Sequence, residues 1–431
     1  MVIISTLLEV GGHVGHLLMV ESWVGSMSTL LPAGIKDSGH EFSFLTRDLG
    51  HYLRPGTPVP HPLLGAANVF TAETNDESTL LPHVRKLQAA FGFDGVLTSC
   101  DYYLPAVAAI AADLGLPGPG RTAVADACDK HRTRLICRAA GVAGPDFAVA
   151  QDWDEIVRAA TELGYPLVVK PVDLCGGMFV RRVGDEAELR VAVDAIAGFP
   201  INARGQHRSP RVLLEECVDG PEFSVETVTV AGQTTVIGVT DKRITGAPAF
   251  IESGHMFPAA LLPADTTAVA ELAVAAITAL GLDATVAHTE VKLDPRGPRL
   301  IEVNPRPAGN RITELVRRVT GIDLTAVHAE AVAGGKPDVT PKETGIASAA
   351  VAFAVPTDTG LLTRVDGAQS WAADPRIVER KLADPGTEVR PATDNNTYLG
   401  HVMVVDETRD TTGDLAQRLI ADLRFELEGA R

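Results

Sequence analysis

A predicted β-hairpin with an acidic residue on each strand constrains the fold of this chain more than any other feature. Its three segments are, in chain order, 288–293 (HTEVKL), 294–298 (DPRGP) and 300–304 (LIEVN). Every second side chain of a strand lies on the same face of the sheet. With the turn centred on Arg296, Glu290 lies directly opposite Glu302, and His288 lies opposite Asn304. The sequence therefore predicts two facing carboxylates with an imidazole and an amide beside them.

Two facing carboxylates destabilise a hairpin unless positive charge lies between them. Mg²⁺ suits this position because it binds carboxylate and amide oxygens together with phosphate oxygens and water. In the alternative interpretation both acids point into water, and Lys292 reduces their repulsion. The hairpin leads directly into Arg306 and Arg311, which suit a site that binds several phosphate charges. We therefore favour a metal site between the carboxylates of Glu290 and Glu302.

A lysine at the end of a short apolar strand is the second candidate. Lys170 closes the segment 165–171 (YPLVVKP), and Pro171 cannot continue the ladder of the strand. Gly176 and Gly177 follow and allow the backbone to turn its N–H groups toward an anion. A hairpin whose lysine extends into solvent explains the same pattern. The segment alone does not decide between the two, although the absence of GxxxxGK[ST] excludes a Walker A loop.

A bend between two predicted strands is the third candidate. The segment 213–226 (LLEECVDGPEFSVE) ends one strand in two acids, turns at Gly-Pro and resumes as a second strand. Main-chain groups at such a bend can pair with the edge of adenine, and a carboxylate can accept from ribose hydroxyls. An ordinary hairpin with solvated acids is the simpler interpretation, and it is favoured when this segment is taken without its context.

The composition limits the classes of partner. The 431 residues include 38 Lys and Arg against 55 Asp and Glu, a formal net charge of −17. This acidity argues against nucleic acid or an anionic membrane as the main partner, but it permits a local basic pocket for one nucleotide. The five cysteines form no CxxC pair and are typical of reduced thiols. Without a basic leader or an apolar run of membrane-spanning length, we expect a cytoplasmic protein.

The pattern along the chain predicts three regions. An α/β region of the doubly wound, parallel type comes first, and its first strand is predicted over residues 2–8. The second region opens with a helix predicted over residues 122–140 and contains all three candidates. The third is predicted to be small and mostly β, with a closing helix over residues 413–427. Gly/Pro clusters separate the regions, which are 1–120, 121–335 and 336–431.

Together these segments resemble the ATP-grasp ligases over most of the chain. A narrower similarity, carried by 252–258 (ESGHMFP) and 288–290 (HTE), is to the ligases that join unprotected L-amino acids into dipeptides. No single motif is diagnostic, but the order and spacing of the set are highly specific. The matching residues are 129–130 (DK), 169–171 (VKP) with the glycines after it, 214–216 (LEE), Glu222, Glu290 and 302–306 (EVNPR).

The resemblance implies a nucleotide site and its cofactors, ATP and Mg²⁺ with Mn²⁺ as an alternative ion. Lys130 and Lys170 would bind the α- and β-phosphates, and Gly176 and Gly177 would lie in the flexible loop that covers them. This loop, 173–177 (DLCGG), lacks the longer Gly/Ser-rich sequence of many family members. The residues implied for the adenine and the ribose are Glu215, Glu216, Val218 and Glu222.

The resemblance also implies an ATP-grasp fold with an N-terminal Rossmann-like domain, a central ATP-grasp region and a small C-terminal domain. Arg306 would steady the transferred phosphate, His255 would face an amino-acid pocket, and the hairpin carboxylates with Asn304 would hold Mg²⁺. ATP would phosphorylate a carboxylate, and an amine would then displace the phosphate. Because water must be kept from such an intermediate, we expect a lid, over residues 165–230.

The expected substrates are a small-molecule carboxylate and amine, most simply two amino acids, and ligases of this kind are often homodimers. Two alternatives stay open. One keeps the fold but changes the acceptor to that of a biotin-carboxylase-like or nucleotide-synthesis ligase, because the last hundred residues, including 389–396, resemble the C-terminal domain of such carboxylases. The other is a nucleotide-binding regulatory protein without catalysis, which would require replacement of the hairpin acids or of Arg306, and none is replaced.

Overall fold

The computed structural model describes residues 14–22, 25–53, 60–408 and 411–429, and these residues define the architecture of the protein. The strand predicted over residues 2–8 lies outside them.

A parallel sheet comes first in the described chain, with the strand order β3–β2–β1–β4. Strands β1, β2 and β4 are almost entirely buried, as expected for a parallel sheet with both faces covered, whereas the edge strand β3 is largely exposed. The helix Leu104–Leu114 ends at Gly115, whose backbone has the left-handed conformation typical of a helix C-terminus. The elements are β1 (His16–Val20), α1 (Met27–Asp37), β2 (Glu41–Thr46), β3 (Val69–Thr71), α2 (Glu77–Phe91), β4 (Gly95–Leu97) and α3 (Leu104–Leu114). This confirms the predicted α/β region.

Two helices replace the single helix predicted over residues 122–140. They are α4 (Arg121–Cys128) and α5 (Lys130–Ala139). Between them Asp129 has an extended backbone, with φ −105° and ψ 106°, and its side chain accepts a hydrogen bond from the Arg132 N–H. An aspartate is favoured at this N-cap position because it satisfies a free N–H of the first turn. The break places Lys130 at the start of a helix.

A small antiparallel sheet with two helices follows, in the strand order β5–β8–β6–β7. The predicted lid, residues 165–230, does not coincide with this unit, because β5 and α6 precede that range and the strand that follows Glu222 joins another sheet. The sequence of residues 178–180 predicts a strand, but these residues belong to a turn instead. The elements are β5 (Phe147–Ala150), α6 (Trp153–Leu163), β6 (Leu167–Pro171), β7 (Arg181–Val183), α7 (Glu186–Ala197) and β8 (Val212–Glu216).

The large sheet carries the candidate site. Its strand order is β13–β12–β9–β10–β11–β14–β18–β16, so strands of the third predicted region continue the sheet of the second. Its elements are β9 (Glu222–Val230), β10 (Gln233–Thr245), β11 (Ile251–Phe257), α8 (Pro263–Leu280), β12 (Thr285–Asp294), β13 (Gly297–Asn304), α9 (Ile312–Thr320), α10 (Leu324–Val332), β14 (Ser348–Phe353), β16 (Ile377–Leu382) and β18 (Gly400–Asp406).

The two faces of the large sheet have different coverings. Helix α8 packs on one face, where Val269 and Ala273 meet Val225 and Val291. On the opposite face, α9 and α10 cover one end, and the other end borders a cavity. By length and composition alone α8 could also cross a membrane, but its apolar face belongs to this core.

The last elements complete the C-terminal region. They are β15 (Gly360–Asp366), β17 (Glu388–Val389), α11 (Thr412–Ala421) and β19 (Arg424–Glu428), and the three strands form a sheet in the order β17–β15–β19. The helix predicted over residues 413–427 therefore ends early, because the alternating stretch RFELE pairs as an edge strand with β15.

Candidate active site

One cavity of about 1030 Å³ lies between the three regions of the chain. It is bordered by the hairpin of β12 and β13, the small sheet, the N-terminal region and the C-terminal region. Every site residue predicted from the sequence lines this cavity except His255. The residues brought together are Lys130, Lys170, Gly176, Gly177, Glu215, Glu216, Val218, Glu222, Glu290, Glu302, Asn304 and Arg306.

The hairpin has the predicted pairing but a tighter turn. Glu290 pairs with Glu302, and His288 pairs with Asn304. At the turn Asp294 pairs with Gly297, so the loop is shorter than a turn centred on Arg296 would give. A β-bulge after Glu290 restores the predicted register.

Each of the two facing carboxylates has its own lysine. The Lys242 Nζ lies 2.5 Å from Glu290 Oε1, and the Lys130 Nζ lies 3.1 Å from Glu302 Oε1. Burial raises the pKa of Glu290, but the Lys242 ammonium and His288 outweigh it, so the pKa of this carboxyl is lowered. The positive charge that the hairpin requires thus comes from side chains of β10 and α5.

Lys242 is the functional residue that the sequence interpretation missed most clearly. Its ammonium is buried and also lies 3.2 Å from Glu222 and 3.1 Å from Glu252. Burial lowers the pKa of Lys242, but Glu252, Glu290 and Glu222 raise it well above its ordinary value. Lys242 is directly opposite Glu222 in the register of β9 and β10. The β9–β10 hairpin shifts its register between Val236 and Gly238, and without that shift Asp241 would lie opposite Glu222.

A second layer of polar groups supports Glu290. The His288 Nε2 lies 3.3 Å from Glu290 Oε1, and the His288 Nδ1 lies 2.9 Å from Glu226 Oε1. The hydroxyl of Ser224 donates to the same Glu226 oxygen at 2.8 Å. Burial lowers the pKa of His288, but the Glu226 carboxylate raises it by a larger amount, so the resulting pKa is about 9. The imidazole is therefore held as a cation between two carboxylates.

The hairpin offers a donor set that fits Mg²⁺ bound together with phosphate. Among the described residues, no group of three or more His, Cys, Asp or Glu side chains is arranged to hold a metal ion. The predicted set differs from such a cluster, since it has two carboxylates and the amide of Asn304. Mg²⁺ in phosphate-transfer sites takes only one or two carboxylates and completes its shell with phosphate oxygens and water. Glu290, Glu302 and Asn304 suit that mode of binding.

Lys170 is held by a buried ion-pair network on the two central strands of the small sheet, β6 and β8. Its Nζ lies 2.6 Å from Glu215 Oε2, and the Arg134 Nε donates to Glu215 Oε1 at 2.6 Å. Burial lowers the pKa of Lys170, and Glu215 offsets this only in part. The carboxylate of Glu215 therefore positions two cations. At the neighbouring bend Glu216 and Val218 also line the cavity, and the Lys292 Nζ donates to the Val218 carbonyl at 3.2 Å.

The N-terminal region contributes directly to the phosphate end of the cavity. The Arg306 Nε donates to Asp101 Oδ1 at 2.6 Å. Lys130 lies in the first turn of α5, and its Nζ donates to the Leu174 carbonyl at 2.5 Å. Burial lowers the pKa of Arg306, but the Asp101 carboxylate raises it by a larger amount. The net pKa is raised, so the guanidinium stays charged. Arg306, Lys130 and Lys170 form a cationic wall beside the hairpin carboxylates.

His255 lies behind the cavity wall, contrary to its predicted place in an amino-acid pocket. It is buried, its ring packs edge-on against Phe353 at 5.7 Å between centroids, and its Nε2 lies 3.2 Å from Glu252 Oε2. The pairing of β10 with β11 shifts between Arg243 and Ile244, and this bulge brings Glu252 and His255 to the same face. Glu252 is therefore the residue that reaches the cavity.

The end of the cavity beyond Glu252 belongs to the C-terminal region. Phe353 and Tyr398 stack there with ring centroids 4.5 Å apart. The Asn310 Nδ2 donates to Glu252 Oε2 at 2.5 Å, and Arg311 is paired with Glu379 at 2.7 Å. This end combines an aromatic wall with charged groups of both signs, whereas the opposite end carries the cations suited to phosphate.

Comparisons with known protein families identify the regions on which this geometry is built. The family model of the ATP-grasp N-terminal domain matches residues 43–118, that of the ATP-grasp domain matches residues 163–315, and that of the L-amino acid ligase C-terminal domain 2 matches residues 352–428. The chain therefore carries an ATP-grasp N-terminal domain and an ATP-grasp domain, followed by a C-terminal domain of the kind found in L-amino acid ligases.

Two solved structures share this architecture along almost the whole chain. The crystal structure of L-amino acid ligase from Bacillus licheniformis has a TM-score of 0.80 and 23% identity, and the match covers 96% of this chain and 99% of that one. Phosphoribosylglycinamide synthetase from Anaerococcus prevotii has a TM-score of 0.70 and 20% identity over 96% of this chain and 100% of that one. At these identities the two structures establish the fold.

Sequence relatives extend the comparison. The uncharacterized protein y4rH of Sinorhizobium fredii is 29% identical over 83% of this chain and 73% of its own length. Alanine–anticapsin ligase of Bacillus subtilis is 26% identical over 60% of this chain, and carnosine synthase 1 of Mus musculus is 28% identical over 57%. The match covers only 58% and 31% of the lengths of those two enzymes.

Proposed function

We propose that this protein is an ATP- and Mg²⁺-dependent ligase that joins the carboxylate of one amino acid to the amine of a second. The carrying observation is that a single cavity has a cationic end, with Lys130, Lys170 and Arg306, and an opposite end formed by Glu252 and the aromatic wall. A nucleotide and an amino acid can therefore meet at the hairpin carboxylates.

The chemistry follows from what the two ends supply. A carboxylate oxygen attacks the γ-phosphorus of ATP, the bond to ADP breaks, and an acyl phosphate forms. The amine nitrogen then attacks the acyl carbon, loses a proton and displaces inorganic phosphate. Arg306 is placed to stabilise the charge on the phosphate during both steps. When bound, Mg²⁺ would supply charge neutralisation on the phosphate oxygens, held by the hairpin ligands.

The substrate end supports amino acids as the ligands. The Glu252 carboxylate faces the cavity and suits a substrate ammonium group, while Phe353 and Tyr398 offer apolar surface to a side chain. The name of the relative alanine–anticapsin ligase includes the amino acid alanine as a substrate. Both observations favour an amino-acid pair over bicarbonate as the acceptor.

A screen of amino-acid pairs tests the proposal. Purified protein with ATP and Mg²⁺ is incubated with all pairs of amino acids, phosphate release is measured, and products are identified by mass spectrometry. We expect at least one pair to give a dipeptide with one ADP per amide bond. Bicarbonate with biotin is the parallel arm. Phosphate release only in that arm would favour a carboxylase-like ligase, and ATP binding without turnover in any arm would favour a regulatory protein.

A further inference from the structure

Asn395, in the C-terminal region, touches both ends of the candidate site. Its backbone N–H donates to the Gly176 carbonyl at 3.0 Å, and its side-chain Oδ1 accepts from the Glu252 backbone N–H at 2.9 Å. Gly176 belongs to the phosphate-side loop, and Glu252 opens the substrate-side strand. All three residues line the cavity. The contact therefore joins segments that are far apart in sequence and have different roles in the site.

The surroundings of Asn395 fit it closely. Gly177 has φ 70°, and a Cβ added there would lie 3.3 Å from Asn395 Nδ2 and 3.5 Å from the Phe250 carbonyl. Residue 177 thus needs glycine both for its backbone conformation and for the approach of Asn395. On the outer side, the Arg181 Nη1 donates to the Thr393 carbonyl at 3.3 Å. The loop 393–396 is therefore attached to the small sheet at two points.

Glu252 is in turn connected to the reacting centre. Its carboxylate lies 3.1 Å from the Lys242 ammonium, which contacts Glu290 at 2.5 Å. A shift of Glu252 would therefore displace Lys242 and change its contact with Glu290. A shift of Gly176 would uncover the phosphate side of the cavity. Asn395 is the residue whose hydrogen bonds connect these two movements.

We propose that Asn395 is a positioning residue that couples closure of the loop 173–177 over the phosphates to the placement of Glu252 at the substrate end. This inference rests on the proposed ligase function and extends it. Asn395 acts through Gly176 and Glu252 and takes no part in bond making.

Loss of this coupling has a defined chemical consequence. With the loop displaced, water reaches the acyl phosphate, and its oxygen attacks the acyl carbon in place of the amine. The bond from that carbon to the phosphate oxygen breaks, the water proton passes to solvent, and the free carboxylate is regenerated. The net reaction is then hydrolysis of ATP to ADP and phosphate without amide formation. The ratio of phosphate to amide therefore reports on the coupling.

The substitution Asn395→Leu removes the acceptor for the Glu252 N–H at nearly constant volume, and Asn395→Asp retains an acceptor oxygen. We expect N395L to release about fivefold more phosphate per amide than the wild type, the factor typical of one lost hydrogen bond. N395D should keep a ratio near that of the wild type, even though its charge raises KM for ATP. Thr397→Val is the matched control, since Thr397 does not line the cavity. If N395L does not fold, N395A removes the same acceptor.

Hydrogen exchange of residues 173–177 gives a readout that does not depend on ligase activity. In nucleotide-free protein these amides should exchange faster in N395L than in the wild type and N395D. An unchanged phosphate-to-amide ratio together with unchanged exchange in N395L would overturn the role of Asn395. If the wild type makes no amide from any pair, the proposed function fails, and the exchange measurement alone then decides whether Asn395 holds the loop.

Discussion

Glu290 and Glu302 face each other directly across the β12–β13 hairpin, and each carboxylate is paired with a separate lysine. The lysines come from opposite sides, Lys242 from β10 and Lys130 from the start of α5. The hairpin thus presents two acids that each contact a cation before any ligand binds. A phosphate–metal unit can enter such a site while the carboxylates stay ionised, since the metal takes carboxylate oxygens and the lysines can turn to phosphate.

Removal of Lys242 should destabilise the protein strongly. Lys242→Met would leave the buried carboxylates of Glu222, Glu252 and Glu290 without their shared cation. Uncompensated buried charge of this kind costs about 3–5 kcal/mol. Urea unfolding measures the loss, with the exposed Lys336→Met as control. Equal unfolding free energies for the two variants would show that Lys242 does not have this role.

Lys170 and Glu302 should both be essential for turnover. Lys170→Ala removes a cation from the phosphate end, and Glu302→Ala removes one of the two facing carboxylates. In each variant we expect substrate-dependent ADP formation to be abolished, with the Lys336→Ala variant at wild-type level. ADP is measured in a coupled assay with the amino-acid pair found for the wild type. Wild-type turnover in either variant would contradict the assignment of the site.

How far the sequence predicts this site depends on where the strand registers shift. Glu290 was correctly paired with Glu302, but only because the tighter turn and the β-bulge after Glu290 offset each other. The Asp129 break between α4 and α5 was missed, although an N-cap residue marks it. Lys242 was missed, because its place depends on a register shift between Val236 and Gly238 in the β9–β10 hairpin. His255 was placed on the wrong side of the wall for a related reason, namely a bulge with no clear sequence signal.

Metal binding should depend on the hairpin acids even when catalysis is not measured. Mn²⁺ is a suitable probe, because its free form gives a paramagnetic resonance signal that disappears on binding. In the presence of ADP, Glu302→Gln should weaken Mn²⁺ binding by at least about tenfold, since ligands and their supports commonly have effects of 10–100-fold. Glu162→Gln, an exposed acid of α6 that does not line the cavity, is the control. Identical Mn²⁺ titrations for wild type and E302Q would exclude Glu302 as a ligand.

The stability of the metal-free protein should fall at alkaline pH through His288. Its pKa is raised from 6.5 to about 9, because Glu226 outweighs the effect of burial. A raised folded-state pKa stabilises the protein fully below pH 6.5, and the contribution is lost as the pH rises through about 9. In EDTA, urea unfolding should lose on the order of 2 kcal/mol between these limits. His288→Gln should flatten this dependence and His83→Gln, on α2, should retain it, so a slope that persists in H288Q would refute the prediction.

Variants of Arg306 and of its partner Asp101 should distinguish two roles of the arginine. One is stabilising the charge on the transferred phosphate, and the other is being held in place by Asp101. Arg306→Lys keeps a cation but loses the planar, forked donors that match a phosphate, so kcat should fall by about a hundredfold or more. Asp101→Asn keeps the arginine and removes only the charge that holds its Nε, so a smaller fall, of roughly fivefold, is expected. Steady-state kinetics with the identified substrates measure both variants. If the two variants lost equal activity, Arg306 would act mainly as a structural partner of the N-terminal region, since the guanidinium would then matter only through its ion pair.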